Sequence, residues 1–373
     1  MKILQVGKFF PIEGGVEKVM FDLLLGLSTQ KIECDMLCTA KLGTKHIKDI
    51  VINPYANILL VPAISKVAAT MIAPALIFRL RKISKLYDII HIHHPDPMAC
   101  AALALSRYTG KVVLHWHSDI LKQKNLLKAY LPLQSWLIKR ADLIVGTTPV
   151  YVKQSPYLKD VQHKVDYIPI GVDPMLPTAQ QVELLKQKYG HKKIIFSLGR
   201  LVGYKGHRYL IEAAKLLNDD YQIIIGGVGP LKTTLQHQIK DLGLEERVHL
   251  IGYISEEDLP NYYAASLVFC LPSILKTEGF AIVQVESMSC GRPIISTFIP
   301  ESGVSWVNSD GESGYIVETC NPQAIADAII KVCENQDVYE KLSEGSLHRY
   351  TTLFTKTKMI ERSILCYHKL LKH

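Results

Sequence analysis

Two acids eight positions apart, Glu278 and Glu286, fall in the segment PSILKTEGFAIVQVESMSCGRP, which runs from Pro272 to Pro293. Carboxylates so placed suit one of two chemistries: a couple that hydrolyses a glycosidic bond, or a pair of acceptors that grips the hydroxyls of a nucleotide sugar. In a retaining hydrolase the two carboxyls sit about 5–5.5 Å apart. Eight residues of helix, each rising about 1.5 Å, separate two backbones by roughly 12 Å, which disfavours hydrolysis. The other reading puts Glu278 in a loop, accepting from sugar hydroxyls, and Glu286 on a helix, accepting from both hydroxyls of a ribose. That helix is expected over Ala281–Cys290, closed by Gly291 with Pro293 beyond it. Backbone N–H groups near Phe280 and Ala281 would then be open to a ligand.

Upstream, Ser197-Leu-Gly199-Arg200-Leu-Val-Gly-Tyr-Lys205-Gly206-His207 gathers two cations and three glycines in one loop before a helix. Arg200 can hold phosphate oxygens with two parallel bonds and Lys205 adds a mobile charge, so the pair can stabilise a departing diphosphate without a metal. A glycine turn follows at Gly226-Gly-Val-Gly229-Pro-Leu, where backbone can approach a phosphate or sugar. Near the amino terminus, Gly14 and Gly15 precede a helix whose free N–H groups suit an anion. The surrounding residues match neither the dinucleotide fingerprint nor the Walker loop. His115-Trp-His117-Ser118-Asp119 ends a strand with two histidines on one face: His115 is expected to pack under the sheet and His117 to stand at the mouth. His91, His93 and His94 end another strand, which makes a metal cluster with His115 and His117 conceivable. No acidic ligand pair accompanies them and no D-x-D occurs in the chain, so the expectation is no metal and no cofactor.

The elements that must carry these loops are short apolar runs alternating with helical patterns. In the first half the strands are expected at 2–6, 33–38, 58–61, 89–93, 112–117, 143–147 and 165–168. In the second half they are expected at 193–198, 222–226, 248–251, 267–271, 293–296 and 314–317, with helices such as 207–217 and 231–242 between them. Such alternation implies βαβ units, parallel sheets and two doubly wound domains, whose ligands bind at the carboxyl ends of the strands. A Pro- and Gly-rich stretch, Ile168 to Pro177, marks the boundary near residue 173, and residues 355–371 are helical by period. A chain of 373 residues with 48% hydrophobic content can fill two cores. Eight cysteines without metal spacing or a dense framework read as free thiols in a reducing compartment. No export signal is visible, and the longest apolar run, 67–78, is broken by Pro74 and falls short of the roughly 20 residues of a spanning helix. The expected location is cytoplasmic.

Taken together, the E-x7-E segment, the GRLVGYKG loop, the GVGPL turn and the amino-terminal Gly-Gly resemble a family-4 retaining glycosyltransferase of the GT-B fold over nearly the whole chain. The resemblance implies an α/β architecture of two Rossmann-like doubly wound domains facing across a cleft. Residues 1–173 would bind the acceptor and 174–354 the nucleotide-sugar donor, with a final helix, 355–373, crossing back to the first domain. It implies metal-independent transfer in which Arg200 and Lys205, with Gly199 and Gly229 nearby and Gly14 and Gly15 approaching, bind the diphosphate. Glu286 would hold the ribose, and Glu278 with the backbone of Gly279, Phe280, Ala281 and Ile282 the sugar. His117 would sit by the transferring carbon and Ser118 and Asp119 toward the acceptor, so that His117, Glu278, Arg200 and Lys205 carry the catalytic roles. The base would meet backbone around Gly252–Ser255, Ile254 included. One departure is Ala281, where the family commonly has Gly, and its methyl would narrow the sugar pocket.

The stretch HWHSDILKQK from His115 to Lys124 and the residues after it resemble most closely the bacterial mannosyltransferases that extend O-antigen and related surface polysaccharides. That implies transfer of an α-mannosyl residue from GDP-mannose to a lipid-diphosphate-linked oligosaccharide, with UDP-hexoses and other GDP-sugars open. Residues 1–173 hold 22 Lys/Arg against 13 Asp/Glu, a surplus of +9, while 174–373 hold 21 against 22, or −1. An anionic partner suits the first half. Two stretches mixing Leu, aromatic and basic residues, Lys66–Tyr87 and Lys122–Arg140, would lie against an anionic membrane surface or pack inward as amphipathic helices. Nucleic acid would leave the E-x7-E segment idle, a phosphorylase would need a pyridoxal-binding lysine motif, and sugar 2-epimerases lack this E-G-F helix.

Overall fold

The structure is a computed structural model that describes residues 1–67, 70–120 and 124–372. The chain packs as two compact units. One comprises Met1–Ile170 together with the residues from Lys356 onward, and the other is Gly171–Thr355. The change of unit at 170/171 lies three residues before the position suggested by the Pro- and Gly-rich stretch.

Among the described residues of the first unit ten strands are formed: β1 (Lys2–Phe10), β2 (Glu33–Ala40), β3 (Ile50–Asn53), β4 (Ala56–Val61), β5 (Ser65–Val67), β6 (Thr70–Ile72), β7 (Ile89–His94), β8 (Lys111–Trp116), β9 (Leu143–Gly146) and β10 (Val165–Tyr167). Eight of them make one sheet in the order β10-β9-β8-β7-β1-β2-β4-β3, parallel except for β3. Both faces are covered, so the central strands are buried at nearly every position and mostly apolar, with Gln5, His91, His93, His94 and His115 as polar exceptions. On one face Leu4, Val6, Ile90, Ile92, Val112, Leu114 and Trp116 join a single core. Side chains alternate along a strand, so Ile3, Gln5, His91, His93, Val113 and His115 point the other way. The final helix, Lys356–Lys372, belongs to this unit and packs on the helix Gly15–Thr29.

Three strands of this unit escape the reading from sequence. β3 pairs antiparallel with β4 across an Asn-Pro turn in which Asn53 Oδ1 accepts from the Tyr55 N–H at 2.9 Å. β5 and β6 form a separate hairpin. The basic stretch from Lys66 is therefore not one amphipathic helix. It supplies parts of that hairpin, the helix Pro74–Ile83, which buries Leu76 and Leu80, and a short 3-10 turn. Ala68 and Ala69 of this stretch, and Lys122 and Gln123 of the second, lie outside the described residues. Of that second stretch, Lys124–Arg140 is a helix that buries Tyr130, Leu137 and Ile138.

The second unit holds β11 (Lys193–Leu198), β12 (Tyr221–Gly226), β13 (Val248–Gly252), β14 (Val268–Leu271), β15 (Ile294–Thr297) and β16 (Gly314–Val317). They form an all-parallel sheet in the order β13-β12-β11-β14-β15-β16. Strand order reverses between β1 and β7 in the first sheet and between β11 and β14 in the second. Such reversals open a crevice at the carboxyl ends of the strands, where α/β proteins bind their ligands. No described helix is long and apolar enough to cross a membrane.

Candidate active site

The two motifs singled out in the second half leave the strands on either side of that unit's reversal. Gly199–Lys205 follows β11 and Pro272–Glu278 follows β14. Backbone bonds join the loops: Ile274 N–H donates to Tyr204 O at 2.8 Å, Gly199 N–H to Gly226 O at 3.1 Å and Leu201 N–H to Val228 O at 3.0 Å. Two glycines permit this closeness. At Gly206, with φ of +69°, an added Cβ would fall 1.9 Å from Pro272 O, and at Gly227, with φ of +127°, it would fall 2.0 Å from Gly199 O. Gly229 lies against the Leu201 backbone, and the Ile254 side chain covers Gly226.

Lys205 and Glu278, assigned separately to phosphate and sugar, meet each other. Lys205 Nζ stands 2.6 Å from Glu278 Oε2, with side chains 11% and 9% exposed, and Ser273 Oγ donates to the same oxygen at 3.0 Å. The Glu278 carbonyl accepts from Ser302 Oγ, the Ser273 carbonyl from Thr297 Oγ1, and Gly303 N–H reaches Gly279 O at 3.0 Å. The acid is thus fixed by residues from β15 and the loop after it. Arg200, earlier in the same loop as Lys205, is exposed.

The helix carrying Glu286 spans Ile282–Ser289, one residue shorter at each end than the spacing suggests. Ala281 is its N-cap and adopts φ 61° and ψ 77°, a left-handed conformation that disfavours a residue with a Cβ. Glu278–Ala281 are therefore not helical, and a helical rise over all eight positions does not describe the two acids. Their partners differ: Glu286 Oε2 accepts from Tyr263 OH at 2.8 Å, on the helix Leu259–Ala265. Phe280 and Ala281 are buried, while Gly279, Ile282 and Glu286 are half-buried. A cavity of about 1000 Å³ lined by Gly203, Gly206, His207, Tyr209, Leu235 and Ile274 adjoins the basic loop.

In the first unit, Gly14 is the N-cap of the helix Gly15–Thr29, and both glycines are exposed. The helix has no side-chain cap, and an added Cβ on Gly14 would fall 2.6 Å from Glu17 Oε2. β8 ends at Trp116, so His117 is the first residue past the strand. His91, His93, His115 and His117 form a stack, with ring centroids 4.5 Å apart for 91–93, 5.2 Å for 93–115 and 4.0 Å for 115–117. The register of β7 on β8 pairs His93 with His115 and so builds the stack. Burial pushes all of these imidazoles down: His91, His93 and His117 well below 6.5, and His115 to about 3. His94, on the other face, stacks on Trp116 at 3.9 Å and is likewise lowered to about 3 by burial. His115 is buried as expected, and His117, at 8% exposure, is nearly so.

Among the described residues His91, His93 and His115 are the one group with metal-ligating atoms close together, within 4.8 Å. Their rings lie nearly flat on one another, and His93 has both nitrogens engaged, by His117 and Gln5. Three lone pairs aimed at one point need another arrangement. Asp119 is buried, its Oδ1 accepting from Trp116 Nε1 at 2.9 Å and Ser155 Oγ at 2.8 Å, which gives it a part in holding the loop after β8. Ser118 is half-buried. Gln5, His93, Tyr263 and Ser273 are the site partners that motif reading missed. A glutamine inside the apolar run KILQV was a visible signal, because a buried amide needs partners.

Residues 183–349 match the family described as "Glycosyl transferases group 1", and residues 13–176 match "Glycosyltransferase Family 4". A D-rhamnosyltransferase of Pseudomonas aeruginosa, WbpZ, is 31% identical over 293 residues, 78% of this chain and 76% of its own. The chain is a family-4 glycosyltransferase. An O-antigen chain mannosyltransferase C of Escherichia coli is 29% identical to this glycosyltransferase over 376 residues, 100% of this chain and 99% of the relative. The crystal structure of Anabaena HepE in complex with UDP superposes with a TM-score of 0.78 at 18% identity, covering 99% of the glycosyltransferase and 100% of HepE. That likeness bears on the fold, which is GT-B with two Rossmann-like domains.

Proposed function

We propose that this glycosyltransferase moves an α-mannosyl residue from GDP-mannose to a lipid-diphosphate-linked oligosaccharide during synthesis of a bacterial surface polysaccharide such as O-antigen, with retention and without a metal. The observation that carries the reading is the meeting of the Arg200–Lys205 loop and the Glu278 loop at the strand-order reversal of the second sheet. A diphosphate entering there finds Lys205 and Arg200, a sugar finds Glu278, and a ribose finds Glu286. Full-length similarity to an O-antigen mannosyltransferase supports mannose as the transferred sugar. A second reading, D-rhamnose as the transferred sugar, is favoured by the 31% identical relative.

The acceptor hydroxyl attacks the anomeric carbon on the face that the leaving group vacates. A new carbon–oxygen bond forms as the bond to the diphosphate breaks, and the acceptor proton passes to a diphosphate oxygen. Lys205 and Arg200 stabilise the charge that develops on the leaving group. The working location is the cytoplasmic side of the membrane, reached peripherally by the basic first unit. There Phe78 is 72% and Leu86 64% exposed, beside Arg81, Lys82 and Lys85.

Thermal unfolding with GDP and with UDP, both in EDTA, tests the donor and metal independence together. A nucleotide at 100 times its dissociation constant stabilises by about 2.7 kcal/mol, and GDP is expected to act more strongly than UDP. Absence of a shift with either nucleotide counts against the reading. Mass spectrometry of products from GDP-mannose, GDP-D-rhamnose and UDP-glucose with a synthetic lipid-diphosphate acceptor separates the two sugars. Pelleting with anionic liposomes, unchanged after Arg79, Arg81, Lys82 and Lys85 are replaced by Glu, would remove the membrane patch.

A further inference from the structure

Gln5 on β1, His93 on β7 and His117, the first residue after β8, form a hydrogen-bonded row. Gln5 Nε2 lies 2.9 Å from the Met20 carbonyl oxygen and Gln5 Oε1 lies 3.0 Å from His93 Nε2. His93 Nδ1 lies 2.9 Å from His117 Nε2. Gln5 and His93 are fully buried and His117 nearly so.

The direction of every bond in this row follows from its first member. A carbonyl oxygen only accepts, so the Gln5 amide nitrogen must face Met20 and its oxygen must face His93. His93 therefore carries its proton on Nε2 and donates it to Gln5. Burial, with the neighbouring His91, His115, His117 and Lys8, keeps His93 neutral, so its Nδ1 holds a lone pair. That lone pair can only accept, and His117 must donate from Nε2. His117 is also neutral, which leaves its Nδ1 as a hydrogen-bond acceptor.

We propose that Gln5 and His93 are positioning residues that hold His117 in its Nε2-protonated tautomer, so that Nδ1 accepts a hydrogen bond from a hydroxyl of the transferred sugar. A histidine so held is neither a general acid nor a cation; it orients a donating hydroxyl. The second assignment rests on the reading that the protein transfers a sugar with His117 against it, whereas the tautomer rests on the geometry of the first unit alone. His91 Nδ1 is tied to Tyr367 OH at 2.8 Å on the last helix, and neither nitrogen of His115 has a partner in the row.

The test is long-range proton–nitrogen correlation of the full-length protein labelled in its histidines, with the His117 signals assigned by their loss in His117→Asn, alongside donor kinetics. Wild type is expected to show His117 protonated at Nε2. Gln5→Met removes the acceptor that orients His93, so an Nδ1-protonated His117 should appear. kcat should fall about tenfold, the factor carried by one lost hydrogen bond, with KM for the donor unchanged. An Nδ1-protonated His117 in wild type overturns the proposal, and that measurement needs no variant to fold. Wild-type tautomer and kcat both surviving in Gln5→Met overturn it as well. Absence of sugar transfer by wild type would instead remove the proposed function and leave the tautomer assignment to its own spectrum.

Discussion

At the carboxyl end of the first sheet the polar groups are imidazoles that burial keeps neutral, whereas at the second sheet they are an ammonium and a carboxylate 2.6 Å apart. Both ends are dry, and each avoids the cost of an isolated buried charge in a different way. Within its row of histidines the first dispenses with charge and works through the direction of hydrogen bonds. The second keeps its charges and pairs them. Under the proposed function, orientation would be the task of one end and electrostatic stabilisation that of the other.

The largest consequence is in acid. Burial lowers the pKa of His91, His93, His94, His115 and His117, so below pH 6.5 the unfolded chain binds protons that the folded one refuses. The stability they contribute is complete above about pH 6.5 and is lost as pH falls toward the folded values, about 3 for His94 and His115. At pH 5.5 each costs on the order of 1 kcal/mol, so five together are comparable with the lower end of a domain's stability, about 5–15 kcal/mol. The second unit has His207, lowered to about 3, and the half-buried His249, also lowered. Hydrogen exchange read by mass spectrometry at pH 7.5 and 5.5, corrected for intrinsic rates, should show the first unit opening well before the second. Equal losses in both units would erase the contrast.

Next comes Lys205→Ala, which leaves Glu278 buried beside Ser273 without its cation. Transfer is expected to fall about 10²–10³-fold, and urea unfolding to show a loss of about 3 kcal/mol. Lys205→Ala with Glu278→Gln should recover stability but not rate. A rate recovered by the double variant would mean that the pair, rather than the cation, carries catalysis. Ala281→Gly acts in the opposite sense: relief of the left-handed Ala281 should stabilise by about 1 kcal/mol, read from the denaturation midpoint, while the lost methyl relaxes donor selectivity. Smallest is Tyr263→Phe, which removes the bond to Glu286 and should raise KM for the donor about fivefold with kcat unchanged, as loss of about 1 kcal/mol of uniform binding does. Glu278→Ala, by contrast, should act mainly on kcat.

The parallel strands were legible because residues buried on both faces of a sheet are mostly apolar, and the loops after β11 and β14 were legible because glycine and charge are dense there. β3, β5 and β6 were not, being three or four residues long and at edges or in a hairpin. The Lys205–Glu278 pair was hidden because the two residues are 73 positions apart and meet only through the reversal of strand order. The His93–His117 bond was hidden for a related reason. The β7–β8 register decides which histidines are neighbours, and no spacing within either strand contains it.

The last helix, with Tyr367 against His91, makes the first unit discontinuous along the chain. During synthesis the second unit emerges as one uninterrupted piece and can close while the first still lacks a wall. At about 5–20 residues per second, the segment between the two parts of the first unit takes roughly 10–40 s to appear. For that interval the face carrying Gln5 and the histidine stack has no Tyr367 to meet.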